Sequence, residues 1–205
     1  MRTLTEERRQ AIIQAAVEVF QEQGYERTSM NEVARRVGGS KATLYNYFAS
    51  KEELFAAVVR TFSTQFLTQA ASELASAESQ LLSLEEKLTR FGTSMLQVLT
   101  GSNPALQLYR IVVGEAGHSD IGALFRESGI RESMETLARV MGDAVQQGEL
   151  RDADPMLLAS QFTALVRAET DALLLKREIP LFSREQISAM VTRAVRLFLY
   201  GAAAA

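Results

Sequence analysis

The feature that most constrains the fold is residues 29–51, with the sequence SMNEVARRVGGSKATLYNYFASK. Ser29 and Glu32 have the spacing of a capping box, which predicts that a helix begins here. Gly38–Gly39 is expected to end this helix, because glycine adopts the left-handed conformation of a helix end at little steric cost. Ser40 is a natural N-cap for another helix. The stretch therefore predicts two short helices joined by a tight glycine turn.

The second predicted helix has an apolar and a polar face. Leu44 and Phe48, four residues apart, are expected to face the core. Two short helices with a glycine turn are typical of a helix-turn-helix motif, whose second helix enters the DNA major groove with its N-terminal residues at the base edges. Lys41 and Thr43 suit contacts with bases, and Ala42 is small enough for close approach. This face is thus a candidate DNA-reading surface.

The aromatic and basic residues that follow suit contacts with phosphates, namely Tyr45, Tyr47 and Lys51. The alternative from periodicity alone is a plain helical hairpin of an all-helical protein, in which the tyrosines serve packing. On the DNA-binding interpretation, the predicted contact residues are Ser29, Asn31, Gly39, Ser40, Lys41, Ala42, Thr43, Tyr45, Asn46, Tyr47 and Lys51.

A longer pattern of residue types surrounds this motif. It consists of Ile13, Ala15-Ala16, Phe20, Gly24-Tyr25, Thr28-Ser29, Val33-Ala34, Gly38, Ser40-Lys41, Thr43-Leu44-Tyr45, Tyr47-Phe48 and Ser50-Lys51-Glu52-Glu53-Leu54. With these pieces, residues 8–59 resemble the DNA-binding domain of the TetR family of transcriptional regulators, which favours the DNA-binding interpretation. Gly39 stands where the family usually has a branched apolar residue that packs into the turn, so a looser turn is expected. Ala42 replaces a frequent glycine or proline, and Asn46 a frequent aromatic residue or arginine.

Composition and charge are compatible with this interpretation. The chain of 205 residues has a net charge of −3 and no cysteine, which excludes disulfides and thiolate metal sites and suits a reducing cytoplasm. Residues 1–51 hold eight Lys/Arg and six acidic residues, giving +2, so the remainder carries −5. No run of about eighteen apolar residues is present, and charged residues interrupt any signal-peptide core. The basic end of the chain is therefore the end with the motif.

The whole chain reads as all-α, with no competing strand pattern. The predicted domains are a helix-turn-helix DNA-binding domain at residues 1–51, with its motif at about 29–48, and a helical ligand-binding and dimerisation domain at 52–205. The first helix is expected at 3–24, with Tyr25 filling the small core of three helices. A single helix at 51 to about 78 is expected to act as a stiff lever. Further helices are predicted at 83–99, 105–116, 122–147 with an interruption near Gly129, 155–177 and 183–200.

The second domain resembles the ligand-binding and dimerisation domain of TetR regulators more loosely. LYRIVVGEAG at 108–117 and QQGELRDADP at 146–155 are similar to the AefR-like subgroup. The resemblance implies that the last two helices of each subunit form a four-helix bundle across a two-fold axis, giving a homodimer. Their apolar residues, such as Leu158, Phe162 and Val195, permit this arrangement, and the alternative is that they form only the chain's own core.

A ligand pocket is expected among the middle helices, with a largely apolar wall. The candidate residues are Phe62, Phe66, Met95, Leu99, Tyr109, Val112, Val113, Phe125, Met134, Leu137, Met141, Phe162, Val166 and Glu169. Met and Phe make an adaptable wall, although an apolar stripe at helical spacing equally describes plain core. Glu169, on an apolar face, is expected either to be buried and paired or to lie at the edge of an interface, where its partner is a cationic or hydroxyl group of the ligand, Arg110 or Arg167. Glu115, in an otherwise apolar helix, leaves the same two possibilities.

Catalytic and cofactor motifs are absent from the sequence. His118, the only histidine, excludes a multi-histidine metal site, and as a loop residue it is either solvated or a ligand contact. No nucleophile elbow, GxGxxG pattern or P-loop is present. The prediction is therefore a non-enzymatic, cofactor-free regulator of the TetR type, a repressor released from a palindromic DNA operator by a small, largely apolar effector. The alternative is a small-molecule sensor or carrier that has lost DNA binding.

Overall fold

The computed structural model describes residues 5–74, 76, 81–100, 104–176, 178 and 180–201, except for the side chains of Phe66 and Leu99. The fold is all-α, as predicted, and the described part of the chain contains no strand. Its helices are α1 (Glu6–Gln23), α2 (Met30–Arg36), α3 (Lys41–Tyr45), α4 (Lys51–Val59), α5 (Gln65–Leu74), α6 (Leu84–Thr100), α7 (Ala105–Glu115), α8 (Ile121–Phe125), α9 (Arg131–Gln146), α10 (Pro155–Arg167) and α11 (Arg184–Tyr200).

Three of the predicted helices contain or end at local departures from α-helical geometry. A π-helical turn at Arg60–Thr64 lies between α4 and α5, and the predicted helix end at about 78 lies outside the described residues. A second π-helical turn, Arg126–Ile130, holds Gly129 at φ +125° and produces the predicted interruption there. The predicted helix at 155–177 is wrong at its end: α10 stops at Arg167, and a 3₁₀ turn follows at Asp171–Leu175.

The helices group into two compact units. The first unit comprises Met1–Thr64 and Pro104–Gly129, and the second comprises Gln65–Asn103 and Ile130–Ala205. Helices α7 and α8 therefore pack in the first unit together with the helix-turn-helix, instead of with the rest of residues 52–205. This grouping brings residues of α7 within reach of the loop after α1.

In the first unit, helix α1 packs against α2, α4 and α7. Phe20, Tyr25 and Phe55 form a buried cluster, with ring centroids 4.9–5.8 Å apart. Tyr25 thus fills the core as predicted. Leu44 and Phe48 are each about 1% exposed, which confirms the apolar face assigned to the second helix of the motif.

In the second unit, α5, α6, α9, α10 and α11 surround one apolar core. Gly92 of α6 permits close packing, since a Cβ at this position would lie 3.0 Å from Val191 and 3.3 Å from Val166. Phe162 stacks edge-on against Phe198 with a centroid separation of 5.4 Å. This core joins the last two long helices to the middle of the unit. No helix in the described ranges is both long and apolar enough to cross a membrane.

Candidate nucleic-acid interface

The helix-turn-helix is built by local capping. The Ser29 hydroxyl accepts the Glu32 amide at 3.2 Å and begins α2. The reciprocal half of the predicted capping box is absent, because the Glu32 carboxylate instead accepts two hydrogen bonds from Arg35, at 2.7 and 2.9 Å. The Ser40 hydroxyl accepts the Thr43 amide at 3.1 Å and begins α3. The positions of both short helices follow from these caps.

The turn between α2 and α3 is closed by two backbone hydrogen bonds. Gly38 has φ +70°, and its amide donates to the Arg35 carbonyl at 3.2 Å. The Gly39 amide donates to the Ala34 carbonyl at 2.9 Å. This pair of bonds is a Schellman motif, which satisfies the last carbonyls of α2. The expectation of a looser turn at Gly39 therefore finds no support in the backbone geometry.

Most of the predicted DNA-contact residues lie on the exposed side of the motif. Lys41, Ala42 and Asn46 are exposed, Thr43 is partly exposed, and Tyr45 is 42% exposed. The Lys41 ammonium lies 5.6 Å from the centre of the Tyr45 ring. Also exposed are Ser29, Asn31, Gly39 and Ser40. The polar surface of α3 is thus free for contacts while its apolar side is buried.

Two predicted phosphate contacts have partners within the chain. The Tyr47 hydroxyl accepts the Thr5 backbone amide at 3.0 Å. The Lys51 ammonium donates to the carbonyls of Tyr25 and Glu26, at 2.9 and 3.3 Å, and lies 4.3 Å from the centre of the Tyr25 ring. Lys51 therefore holds the loop after α1, and its contact with phosphate stays a prediction.

The opposite side of the same loop is held by Glu115 at the end of α7. Its carboxylate accepts the amides of Tyr25 and Glu26, both at 2.9 Å. Gly24 has φ +80°, and a Cβ there would collide with the carboxylate. Of the two possibilities that the sequence left for Glu115, the structure shows the pairing, although with backbone amides ninety residues away.

The Tyr25 hydroxyl donates to Glu52 at 3.3 Å. Burial, together with the neighbouring carboxylates of Glu52, Glu26 and Glu115, raises the pKa of Tyr25 well above its ordinary value. The phenol therefore stays protonated and remains a donor. This interaction links the core ring to the first turn of α4.

The positive charge of the first 51 residues is partly neutralised by internal ion pairs. Arg36 pairs with Glu22 at 2.6 Å and with Glu18 at 3.5 Å, and the Arg36 guanidinium lowers the pKa of Glu22. Arg35 pairs with Glu32 at 2.7 Å. Arg35 and Arg36 thus have carboxylate partners among the same 51 residues and are less available to DNA phosphates.

The candidate ligand wall divides between the two units. Phe62, Tyr109, Val112, Val113 and Phe125 belong to the first, where Tyr109 and Phe125 stack at 5.8 Å and Val113 is 53% exposed. Met95, Met134, Leu137, Met141, Phe162 and Val166 belong to the apolar core of the second unit. The side chains of Phe66 and Leu99 lie outside the described part of the chain. These six candidate wall residues therefore pack in the apolar core of the second unit.

Glu169 has a different partner from those predicted. Its carboxylate forms a bidentate ion pair with Arg193 of α11, at 2.9 and 2.6 Å, instead of pairing with Arg110 or Arg167. The Arg193 guanidinium lowers the pKa of Glu169. Both residues are exposed, so this carboxylate does not lie in an apolar pocket of the second unit. His118 is exposed in the loop after α7.

Comparisons with known proteins agree with this geometry. Residues 12–58 match the family model of bacterial regulatory proteins of the tetR family. Residues 86–202, more than half of the chain, match the model described as the AefR-like transcriptional repressor, C-terminal domain. The helix-turn-helix and most of the second unit therefore fall within known family models.

Individual relatives show the same similarity. The transcriptional activator FasR of Mycolicibacterium smegmatis is 47% identical over 55 residues, which is 27% of this chain and 25% of FasR. The chain matches less than a third of the length of the first curated relatives.

Two solved structures are similar over nearly their whole length. A TetR family regulator from Pseudomonas syringae pv. tomato is 31% identical, with a TM-score of 0.71 and 96% of each chain covered. The flavonoid-responsive regulator FrrA is 30% identical, with a TM-score of 0.69 and 95% and 96% covered. Family and relatives alike are transcriptional regulators rather than enzymes. The chain thus belongs to the TetR family of DNA-binding transcriptional regulators, with an AefR-like C-terminal domain.

Proposed function

We propose that the protein is a homodimeric repressor that binds a palindromic operator in the cytoplasm and is released from it by a small, largely apolar effector. The observation that carries the proposal is the exposed polar face of α3, from Lys41 to Asn46, on a helix whose Leu44 is buried. In a helix-turn-helix such a face contacts base edges in the major groove. Repression is supported by the match of residues 86–202 to a repressor family model.

Dimerisation is supported by apolar residues that α10 and α11 leave uncovered. Leu157 is 52% exposed and Leu197 is 39% exposed, and Met156 and Tyr200 are also exposed. An open groove of about 720 Å³ lies beside Leu165 and Leu197 and is lined by α10, α11 and residues 149–151. A second copy packed here covers the apolar side chains, and a two-fold pair of α3 helices then reads two half-sites one helical turn apart.

An apolar effector is supported by the name of one similar protein. FrrA is named for its response to flavonoids. We propose that an effector of this apolar class binds among the middle helices and favours a conformation with lower affinity for DNA. The operator affinity then falls by the difference in effector binding energy between the two states.

The alternative, a sensor that has lost DNA binding, depends on a weakened turn at Gly39. The two hydrogen bonds that close this turn favour retention of the motif. A protein that binds no DNA would therefore support the sensor and contradict the proposal.

Selection of genomic DNA fragments by the purified protein at about physiological salt tests the proposal. We expect enrichment of a palindromic sequence by the wild type and its loss in the variant Lys41→Ala/Thr43→Ala. Equal recovery of all fragments by both proteins contradicts specific binding. A recovered palindrome whose transcription rises with the protein contradicts repression.

A further inference from the structure

The first unit contains an unusual contact between α1 and the turn of the helix-turn-helix. Arg8 extends to this turn, where its Nη2 donates to the Gly38 carbonyl at 3.3 Å. A Cβ at Gly39 would lie 2.7 Å from the same nitrogen, whereas the next nearest side chain, Val37, is at 3.8 Å. The guanidinium therefore occupies the space that a side chain at position 39 would take.

The backbone does not require glycine at position 39. Positive φ angles in the described residues occur at Gly38 and four other glycines but not at Gly39. Residue 39 is also exposed, so a larger side chain meets only the movable end of Arg8. The absence of a side chain at this position thus serves the placement of the arginine.

Arg8 also differs from its neighbours in electrostatic environment. Arg9 lies 3.8 Å from the Glu6 carboxylate and over the Phe48 ring, and Arg35 and Arg36 are paired with glutamates. Among the described residues, no carboxylate lies within 4.0 Å of Arg8 or of Lys41. Arg8, at the turn, and Lys41, the first residue of α3, are therefore cations without a salt bridge among the described residues.

The chemistry of the guanidinium fits an anionic partner at this place. It has five N–H donors in a planar fork that matches phosphate oxygens, and the bond to the Gly38 carbonyl uses one of them. Because that bond fixes the fork beside the turn, less side-chain entropy is lost when a phosphate binds. The remaining donors are then available next to the recognition helix α3.

We propose that Arg8 is a contact to the DNA sugar-phosphate backbone, contributed by α1 beside α3, and that Gly39 makes room for it. The inference rests on DNA binding by the helix-turn-helix and adds a positioning pair to it. The two positions act together: a side chain at residue 39 should shift the guanidinium from its place beside the Gly38 carbonyl and so weaken the contact that the arginine makes.

The test measures operator affinity as a function of salt for the wild type, Arg8→Ala, Gly39→Ala and Arg8→Ala/Gly39→Ala. We expect each single change to weaken binding roughly tenfold at about 0.1 M salt and to reduce the salt slope by about one, as for loss of one phosphate contact. The double variant should bind no more weakly than the worse single variant. Arg8→Lys should recover part of the affinity, because lysine keeps the charge.

A matched control is Arg126→Ala, which removes one exposed arginine of the same unit away from the turn. It should keep the wild-type salt slope. The inference is overturned if Arg8→Ala keeps the wild-type affinity and slope, if the losses of the two single variants multiply, or if Arg8→Ala lowers thermal stability with no change in slope. If the wild type binds no DNA fragment, the proposed function is overturned as well. The wild type is measured before the variants, so this failure is distinguished from a failure of the inference about Arg8.

Discussion

The carboxylate of Glu115 and the backbone amide of Tyr25 are joined by a hydrogen bond of 2.9 Å, and the adjacent amide of Glu26 binds the second carboxylate oxygen at the same distance. On the other side of the loop, Lys51 binds the carbonyls of the same two residues. The loop between α1 and α2 is thus fixed by one anion and one cation from distant parts of the sequence. Gly24 permits the close approach of the anion.

Replacing Glu115 should loosen this loop. In Glu115→Gln one oxygen still accepts, but the amide nitrogen cannot, so one charge-assisted bond is lost. We expect the free energy of unfolding to fall by about 1–3 kcal/mol, as measured by urea denaturation. The control Glu132→Gln, at an exposed position of α9, should change stability little. Equal stability of Glu115→Gln and the control would contradict a supporting role for the carboxylate.

Changes on the exposed face of α3 should affect DNA binding without unfolding the protein. Lys41 is exposed, and Thr43 is partly exposed. If their side chains touch bases, Lys41→Ala and Thr43→Ala should each weaken specific binding by about 1–3 kcal/mol. Fluorescence anisotropy with the operator and with a scrambled duplex separates specific from non-specific loss. Unchanged discrimination at both positions would contradict the proposed placement of α3 in the major groove.

Charged residues on the exposed apolar face of α10 and α11 should prevent dimerisation. We expect Leu157→Glu/Leu197→Glu to sediment as a monomer and to lose affinity for a palindrome far more than for a half-site. Leu181→Glu is the matched control, because Leu181 is 78% exposed and lies outside both helices. A double variant that still sediments as a dimer would contradict an interface formed by α10 and α11.

The ion pair of Glu169 with Arg193 should make stability depend on acid pH. The pKa of Glu169 is lower in the folded than in the unfolded chain, so the pair stabilises the fold above the ordinary glutamate pKa of 4.5. This contribution disappears as pH falls through the lowered value. The Tm of Glu169→Gln should therefore lie below that of the wild type at pH 7, and the difference should shrink as the pH falls below 4.5 through the lowered pKa of Glu169. A difference in Tm that stays constant over this range would contradict the assignment.

The local parts of the structure were predictable from sequence because their signals are local. Ser29, Ser40 and the glycine turn mark the helix ends, and Leu44 and Phe48 mark the buried face. The π-helical turn at Arg60–Thr64 was not predictable, since no proline or glycine marks it. Neither was the end of α10 at Arg167.

The partners of charged side chains that are distant in sequence could not be predicted, for a different reason. A carboxylate such as Glu115 or Glu169 reveals only that it needs a partner, and tertiary packing selects which one. The contact of Arg8 with the turn at Gly38 and Gly39 likewise depends on the packing of α1 against the motif. The predicted ligand wall mixes residues from two packing units, because helical spacing identifies apolar faces but not the unit in which they pack.

The grouping of residues 104–129 with the first 64 residues bears on how this protein is divided for engineering. A fragment cut after the helix-turn-helix would leave the amides of Tyr25 and Glu26 without their carboxylate acceptor. A chimera that transplants the DNA-reading part onto another regulator's sensor would need a glutamate at the position equivalent to Glu115 and a glycine at the equivalent of Gly24. The unit that contains the helix-turn-helix is therefore discontinuous in sequence. Recombination at a single breakpoint would separate its first segment from residues 104–129.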